Sequence, residues 1–369
     1  MPIPLLKRDP NFADAADLTA CRKLLSTGSR SFYAASFFLP KRLREPATAL
    51  YAFCRLADDA IDLEEHNQTA ALERLRERLD RAYRGRPDNF AADRAFAGAI
   101  AQFGIARALP EALLEGFEWD ADGRVYHELS DVYAYSARVA AAVGAMMAAI
   151  MGVRDANVLA RACDLGTAMQ ISNICRDVGE DARNGRIYLP LNWLRDGGLD
   201  VEAWLARPVF NEVIADSVAR LLAVASELYQ RAESGIARLP VACRPGIYAA
   251  RLLYDEIGQE VARRGYDSIN QRAVVSGKRK MALLSRAVAV TPFPVNRAIA
   301  APALSENQFL VDAIVATPVP TRARSAVNPS NRSVEQKVVW VLDLFQTLDE
   351  RQRDYARAAN PQLNVAYNG

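Results

Sequence analysis

The chain has 369 residues, of which 51% are hydrophobic and 24% are charged. This composition is typical of a folded globular protein and excludes a disordered or fibrous chain. The 46 Lys and Arg residues nearly balance the 44 Asp and Glu residues, and the net charge of +2 provides no basic excess for a nucleic-acid backbone. We therefore expect no nucleic-acid partner.

The N-terminal residues lack the basic, apolar and small-residue pattern of a signal peptide, so we expect a cytoplasmic protein. The five cysteines are scattered without Cys-x-x-Cys spacing, which favours reduced thiols over disulfides or a zinc site. His66 and His127 are the two histidines of the chain. A bound metal would therefore need oxygen ligands.

Residues 14 to about 286 are rich in Ala, Leu, Arg and Glu, and their apolar residues recur at helical spacing. In the stretch from 72 to 79, for example, Leu72, Leu75 and Leu79 form one apolar stripe. Prolines and glycines interrupt the pattern at intervals. The sequence predicts an all-α bundle of about ten helices, and the absence of a repeat period argues against a solenoid.

The first acidic motif, Asp-Asp-Ala-Ile-Asp at residues 58–62, lies within a predicted helix. Asp58 and Asp62 then stand one turn apart on one face, where their repulsion is about 1–3 kcal/mol. Either Arg55 or a divalent cation could compensate this repulsion. An acidic group of this kind can also serve only to solvate a helix surface, so this motif alone leaves both interpretations open.

The apolar run from 139 to 153 is shorter than the roughly 20 residues that a membrane-spanning helix needs. We interpret it as a buried core helix. A second polar stripe follows it, where Asn173, Asp177 and Asp181 are spaced four residues apart along one helix face. Two such stripes can face each other inside a bundle and hold a metal ion.

The composition changes after about residue 290, where prolines become frequent and no apolar period is sustained. We predict that 1–290 form the helical domain and that 291–332 form a linker or an irregular wrap. Ser333 and Gln336 then form a capping box at the start of an amphipathic helix, 333–348, within a terminal segment that extends to 369. This helix either docks onto the domain or contacts a membrane or partner.

Two segments, 51–62 and 173–190, resemble the signature segments of the squalene and phytoene synthase family. The second segment is the longer and more specific one, and the resemblance covers roughly residues 14–290. It implies an isoprenoid-synthase-type helical bundle with a central active-site cavity. Val178 and Gly179 follow Asp177 where squalene synthases usually have an aromatic residue, which favours the phytoene-forming branch.

The resemblance implies a prenyltransferase that joins two geranylgeranyl diphosphates head to head, through prephytoene diphosphate, to phytoene. It also implies dependence on Mg²⁺, or on Mn²⁺, and no requirement for NADPH. A dry apolar wall must shield the carbocation, and residues 140–151, with the paired Met146 and Met147, are suited to this role. The implied metal ligands are Asp58, Asp62, Asn173, Asp177 and Asp181.

Further residues take roles from the same resemblance. Segment 29–32 resembles the family's flap, and segment 272–280 resembles its basic closing segment. The implied substrate-binding residues are Ser29, Arg30, Ser31, Phe32, Arg55, Gln170, Asn173, Arg176, Arg272 and Lys278. The implied catalytic residues include the four aspartates Asp58, Asp62, Asp177 and Asp181, and the cavity tyrosines Tyr51, Tyr135 and Tyr254. Each tyrosine could instead be a buried ring with a satisfied hydroxyl, and Arg176 could instead form only a structural salt bridge.

Three other functions remain open from the sequence. A C30 synthase that condenses farnesyl diphosphate to dehydrosqualene or presqualene diphosphate would share the motifs and differ in pocket depth. A non-catalytic scaffold of the family would be expected to have lost carboxylates from one motif, and both motifs are complete here. A plain helical lipid-binding protein would have no use for paired aspartates. The apolar substrate also motivates an expected peripheral contact with the inner face of the membrane.

Overall fold

The structure is a computed structural model, and it describes residues 13–62, 68–291, 299 and 301–320. Arg30, Ser31 and Asp62 are described as helix backbone only. The predicted amphipathic helix 333–348 lies outside the described residues. The described part is helical and contains no strand, which confirms the predicted all-α class.

Fifteen α-helices are present in the described part, where the sequence predicted about ten in the whole chain. The difference comes largely from short helices such as α2, α10 and α11, which have six or seven residues each and are too short to show a helical period. The helices are α1 (Ala15–Gly28), α2 (Arg30–Ser36), α3 (Lys41–Asp62), α4 (Gln68–Tyr83), α5 (Ala91–Phe103), α6 (Ala108–Ala121), α7 (Leu129–Ser136), α8 (Ala142–Ile150), α9 (Ala156–Arg183), α10 (Leu191–Asp196), α11 (Val201–Ala206), α12 (Glu212–Ile236), α13 (Arg244–Arg263), α14 (Gly277–Val290) and α15 (Ser305–Ala316).

Helix α9 has 28 residues and packs against α8, α12, α13 and α15. Asp155 caps its N-terminus by accepting a hydrogen bond from the amide of Val158 at 3.0 Å. Near this end, Leu159 belongs to one hydrophobic core cluster, whereas Ile171 and Ile174, further along, belong to a second one. The helix therefore connects the two halves of the core.

A π-helical segment, Ala137–Ala141, joins α7 to α8 without a break. The resulting stretch from 129 to 150 is, by length and composition, apolar enough to span a membrane, but 56% of its apolar window is buried in the bundle. Residues of this stretch such as Ala145 and Met146 are fully buried. Its burial agrees with the predicted core helix.

Helix α9 approaches α8 and the π-helical segment that precedes it at two glycines. A Cβ on Gly144 would lie 2.7 Å from the Ala162 carbonyl oxygen, and a Cβ on Gly166 would lie 2.6 Å from the Ala140 carbonyl oxygen. Backbone atoms therefore meet directly at this crossing, and a side chain at either position would force the helices apart.

The prediction of irregular structure for 291–332 is wrong at residues 305–316, which form α15. Leu310, Val311 and Ile314 are buried there against α9 and neighbouring helices. Twelve residues between prolines, with apolar residues on more than one face, give too short and too weak a pattern to reveal a helix. Its stability depends on this packing, which local sequence does not show.

Candidate active site

An apolar cavity of about 340 Å³ lies inside the bundle, with walls from α2, α3, α8, α9, α12 and α13. One end is lined by aromatic and amide side chains, namely Phe32, Tyr51, Gln170, Asn173 and Tyr254. The remaining wall is mostly aliphatic. Cavities of this size with few polar groups at one end are typical of ligand sites.

One face of α9 follows the cavity from Asn173 to Val158. These sixteen residues span about 22 Å at the rise of an α-helix. An adjoining wall includes residues from the predicted apolar run: Ala140, Val143, Gly144, Met147 and Met151. Of the paired methionines, Met147 lines the cavity, whereas Met146 is fully buried in the surrounding core.

Asp177 lies just beyond the amide end of the cavity and binds two arginines. Its Oδ1 accepts hydrogen bonds from the Nε atoms of Arg176 and Arg272, both at 2.8 Å. Although burial opposes ionisation, these two guanidinium groups lower the pKa of Asp177 below its usual value. Asp177 is therefore a carboxylate, as the second motif requires.

Asp181, one turn further along α9, has the opposite electrostatic environment. Burial, together with the nearby charges of Asp177 and Glu180, raises its pKa to about 7. Burial and the neighbouring carboxylates thus both disfavour the charged form of Asp181. A bound cation or a proton on Asp181 would relieve this repulsion.

The first motif places Asp58 and Asp59 beside Arg55 on α3. Arg55 forms ion pairs with Asp59 at 2.6 Å and with Asp58 at 3.5 Å. A diphosphate bound by Arg55, as the sequence predicts, would therefore compete with Asp58 and Asp59 for the guanidinium group. Tyr51, one turn earlier on the same helix, lines the cavity, so α3 presents both an aromatic ring and carboxylates to this end.

A loop after α13 carries Arg272 to Asp177. Its Ser268 hydroxyl donates to the Cys175 carbonyl oxygen at 2.6 Å, and the Gly179 amide donates to the Ser268 carbonyl at 3.0 Å. A Cβ on Gly179 would lie 2.7 Å from the backbone of this loop. Gly179 is therefore needed for the close approach that positions Arg272. Lys278, on α14, is exposed to solvent.

The flap segment connects α1 to α2. The Ser29 hydroxyl accepts a hydrogen bond from the Phe32 amide at 3.3 Å. The Phe32 ring lies 6.3 Å from the Tyr51 ring and 5.5 Å from the Tyr254 ring, measured between centroids. Burial raises the pKa of Tyr254 to about 12, so its hydroxyl stays protonated. These three rings together cover the polar end of the cavity.

Tyr135 lies apart from these rings, so its expected place as a cavity tyrosine is wrong for the cavity described above. Its hydroxyl donates to Asp120 at 2.8 Å, and the Tyr188 hydroxyl donates to the other oxygen of Asp120 at 2.7 Å. The charge of Asp120 also contributes to the raised pKa of Asp181. Sequence reasoning missed Asp120 because it lies in neither motif, and Tyr188, at the end of the second motif, was the available signal.

The oxygen-rich acidic end fits a hard divalent cation by its ligand type and by the carboxylates of Asp177 and Glu180, whose charges oppose ionisation of Asp181. Among the described side chains, no three acidic, histidine or cysteine groups already form a metal-binding cluster. The side chain of Asp62, one of the predicted ligands, lies outside the described residues.

The helical fold and the separation of a carboxylate and arginine end from an apolar cavity define an all-α enzyme of the isoprenoid-synthase type. The crystal structure of a dehydrosqualene synthase in complex with ligand matches with a TM-score of 0.69 and 30% identity, and covers 77% of this chain and 99% of that chain. A squalene synthase from Alicyclobacillus acidocaldarius matches with a TM-score of 0.63 and 27% identity, over 68% and 95% of the two chains.

Sequence comparison identifies the family. The profile of the squalene/phytoene synthase family matches residues 25–279. A phytoene synthase of Cereibacter sphaeroides is 53% identical over 324 residues, covering 84% of this chain and 91% of that protein. A phytoene synthase of Rhodobacter capsulatus is 52% identical over 304 residues, covering 81% and 90%. The chain belongs to the squalene/phytoene synthase family, and it is a prenyltransferase.

Proposed function

We infer that the protein condenses two molecules of geranylgeranyl diphosphate to phytoene, an early step of carotenoid biosynthesis. The observation that carries this inference is the 53% identity to a phytoene synthase over 91% of that protein's length. The site supports the inference because its charged groups lie at one end of an apolar cavity. A prenyl diphosphate has the same division into a charged head and an apolar chain.

The reaction begins when the C–O bond to the diphosphate of one substrate breaks, leaving an allylic cation. The other substrate supplies the electron pair of a double bond, and loss of a proton closes the cyclopropane of prephytoene diphosphate. A second ionisation, rearrangement and proton loss give phytoene. Two diphosphates and two protons leave in total, so no electrons are gained and no NADPH is required.

The residues at the polar end are suited to hold the departing diphosphate. Arg176 and Arg272 already converge on Asp177 and can donate to phosphate oxygens in a bidentate manner. We propose that Asp58, Asp62, Asn173, Asp177 and Asp181 hold Mg²⁺. When bound, this cation neutralises the negative charge that develops on the leaving group.

The apolar wall protects the cation left behind. Aliphatic side chains such as Val143, Met147 and Leu165 exclude water that would otherwise capture it. The rings of Tyr51 and Tyr254 line the same cavity near its polar end, where an aromatic face can stabilise positive charge. The cavity therefore separates the handling of the anion from that of the cation.

A second candidate is a C30 synthase acting on farnesyl diphosphate. The 30% identity and TM-score of 0.69 to a dehydrosqualene synthase support it. Both candidates use the same chemistry and differ in prenyl chain length. The higher identity to phytoene synthases favours the C40 product.

Incubation of the purified chain with Mg²⁺ and radiolabelled geranylgeranyl diphosphate, with farnesyl diphosphate in parallel, tests the proposal. We expect C40 phytoene without NADPH and its loss in EDTA. A C30 hydrocarbon from farnesyl diphosphate alone would favour the second candidate. No product from either substrate would contradict both and favour a non-catalytic scaffold.

We further propose a cytoplasmic protein with a peripheral contact on the inner face of the membrane. The support is the apolar character of the proposed substrate and product, together with the amphipathic pattern of residues 333–348. A membrane surface would take up a hydrocarbon that water does not dissolve.

A further inference from the structure

Arg161 is a buried arginine in the wall of the apolar cavity, with 1% of its surface exposed. It lies on α9 twelve residues before Asn173, a distance of about 18 Å along the helix. Asn173 marks the polar end of the cavity, so Arg161 lies in its distal part, about one turn short of Val158, the last α9 residue in the wall. A charged residue in this position needs an explanation, because burial of a guanidinium is costly without partners.

The guanidinium of Arg161 is held by a buried ion cluster. Its Nε lies 2.8 Å from Oδ2 of Asp164, and the same oxygen lies 3.0 Å from Nε of Arg231 on α12. Asp164 is fully buried. One carboxylate thus bridges two arginines, and breaking such a buried pair is strongly destabilising. Arg161 is therefore fixed in place rather than free to change rotamer.

The cluster also holds the chain that follows α14. Arg161 and Arg231 both donate to the Pro302 carbonyl oxygen, at 3.1 Å and 2.7 Å. Further along, the Asn307 side-chain amide donates to the Thr167 hydroxyl at 3.2 Å. The segment 301–316 is thereby attached to the outer side of α9. It lies C-terminal to the residues that match the family profile, 25–279.

The aliphatic stem of Arg161 fills the remaining space at this end. A Cβ on Gly235 of α12 would lie 2.9 Å from Cγ of Arg161 and still closer to its Cβ. Gly235, Ile236 and Arg161 all line the cavity. The absence of a side chain at Gly235 thus leaves room for the aliphatic part of Arg161, which packs directly against α12.

We propose that Arg161, fixed by Asp164 and the Pro302 carbonyl, closes the distal end of the cavity and limits the length of prenyl chain that the enzyme accepts. An aliphatic side chain in its place could move aside for a longer chain, whereas a paired, buried guanidinium cannot. The inference rests on the proposed function, since it assumes a prenyl ligand in this cavity. It makes Arg161 a specificity-determining residue and the segment 301–316 its support.

The test compares the affinity of the full-length protein for non-hydrolysable thiolodiphosphates with C15, C20 and C25 chains, measured by isothermal titration calorimetry with Mg²⁺. We expect the wild type to bind the C25 analogue at least tenfold more weakly than the C20 analogue. Arg161→Ala should reduce this ratio by tenfold or more. The double variant Arg161→Ala/Asp164→Asn provides the same enlargement and also removes the buried negative charge of Asp164, in case the single variant fails to fold.

Arg231→Gln is the matched control, because Arg231 contacts Asp164 and Pro302 but is not part of the described cavity wall. It should retain the wild-type ratio. Equal affinity of the wild type for C20 and C25, or an unchanged ratio in the double variant, would overturn the inference. Chain-length discrimination by a wild type that forms no product would contradict the proposed function and leave this inference standing.

Discussion

Arg272 and Asp177 are 95 positions apart in the sequence, and their side chains form an ion pair with 2.8 Å between Nε and Oδ1. Asp177 belongs to the long helix α9, whereas Arg272 belongs to the loop between α13 and α14. Arg272 is 56% exposed, and Asp177 is 16% exposed. The pair therefore places a solvent-accessible guanidinium group beside the carboxylate of Asp177, at the polar end of the cavity.

Replacing Arg272 with Ala should raise KM for geranylgeranyl diphosphate by about tenfold, the equivalent of one charge-assisted hydrogen bond. The effect on kcat should be smaller, because Arg176 still reaches Asp177. Steady-state kinetics on Arg272→Ala and on the control Arg220→Ala, an arginine on α12 that stacks on Trp193, provide the test. Equal KM values in both variants would contradict a role in substrate binding.

Replacing Asp177 with Asn should lower kcat by at least about 100-fold, since an electrostatic contribution to leaving-group departure is lost. The helical far-UV circular dichroism should be unchanged. Asp216→Asn, an exposed position on α12 (70% exposed), controls for removal of a carboxylate. Full activity in Asp177→Asn would refute the assignment of Asp177 to the metal and diphosphate site.

Replacing Gly166 with Ala should lower the free energy of unfolding by about 1–3 kcal/mol, the usual cost of overpacking. The added methyl group would meet the backbone of Ala140 and Ala141, which cannot move independently. In Gly258→Ala the methyl group would meet only the movable end of the Leu222 side chain, so this variant should be neutral or stabilised. Urea denaturation of both variants measures the difference, and equal stability would argue against the close helix crossing.

The ion pair between Asp17 and Arg94 should make stability depend on pH. Arg94 donates from Nε to Asp17 at 2.7 Å and lowers the pKa of this buried carboxyl below its ordinary value of 3.8. A lowered pKa stabilises the folded state above about pH 4, and this contribution is lost as the pH falls through the folded-state pKa. The stability gap between wild type and Asp17→Asn should therefore be full at pH 7 and shrink below pH 4. Urea titrations at several pH values test this, with Glu202→Gln as the charge-removal control, and a constant gap would contradict it.

Removal of residues 333–369 should reduce co-sedimentation with liposomes. The expectation follows from the apolar stripe of the predicted helix 333–348, which a bilayer surface would bury. Turnover of a detergent-dispersed substrate should persist, since both acidic motifs lie outside the deleted segment. Unchanged co-sedimentation would show that another surface makes the contact.

The helical class, the two acidic motifs and the apolar run could be predicted because each depends on local spacing. Asn173, Asp177 and Asp181 share a face simply because they are four residues apart. The partners of these residues could not be predicted in the same way. Asp120 accepts hydrogen bonds from the hydroxyls of Tyr135 and Tyr188, and these three residues come together only in the folded chain.

Long-range contacts also explain the failure to predict α15. The helix has a weak pattern of its own and depends on burial of Leu310 and Ile314 against other helices. Arg161 carried no recognisable signal either, because an arginine among helical residues is ordinarily exposed. Its burial follows from Asp164, Gly235 and Pro302, which come together only in the folded chain.

The close contacts that α9 makes with α8 and with the π-helical segment at Gly144 and Gly166 have an evolutionary consequence. At Gly144 and Gly166 the cavity wall is backbone, and the same contact that shapes the cavity holds the bundle together. A substitution at either glycine would disrupt the packing of these helices before it could change which substrate the cavity accepts. Substitutions that change the length of the product should therefore occur mainly at positions where a side chain, rather than the main chain, lines the cavity. Different parts of the same cavity wall should therefore tolerate substitution to very different extents.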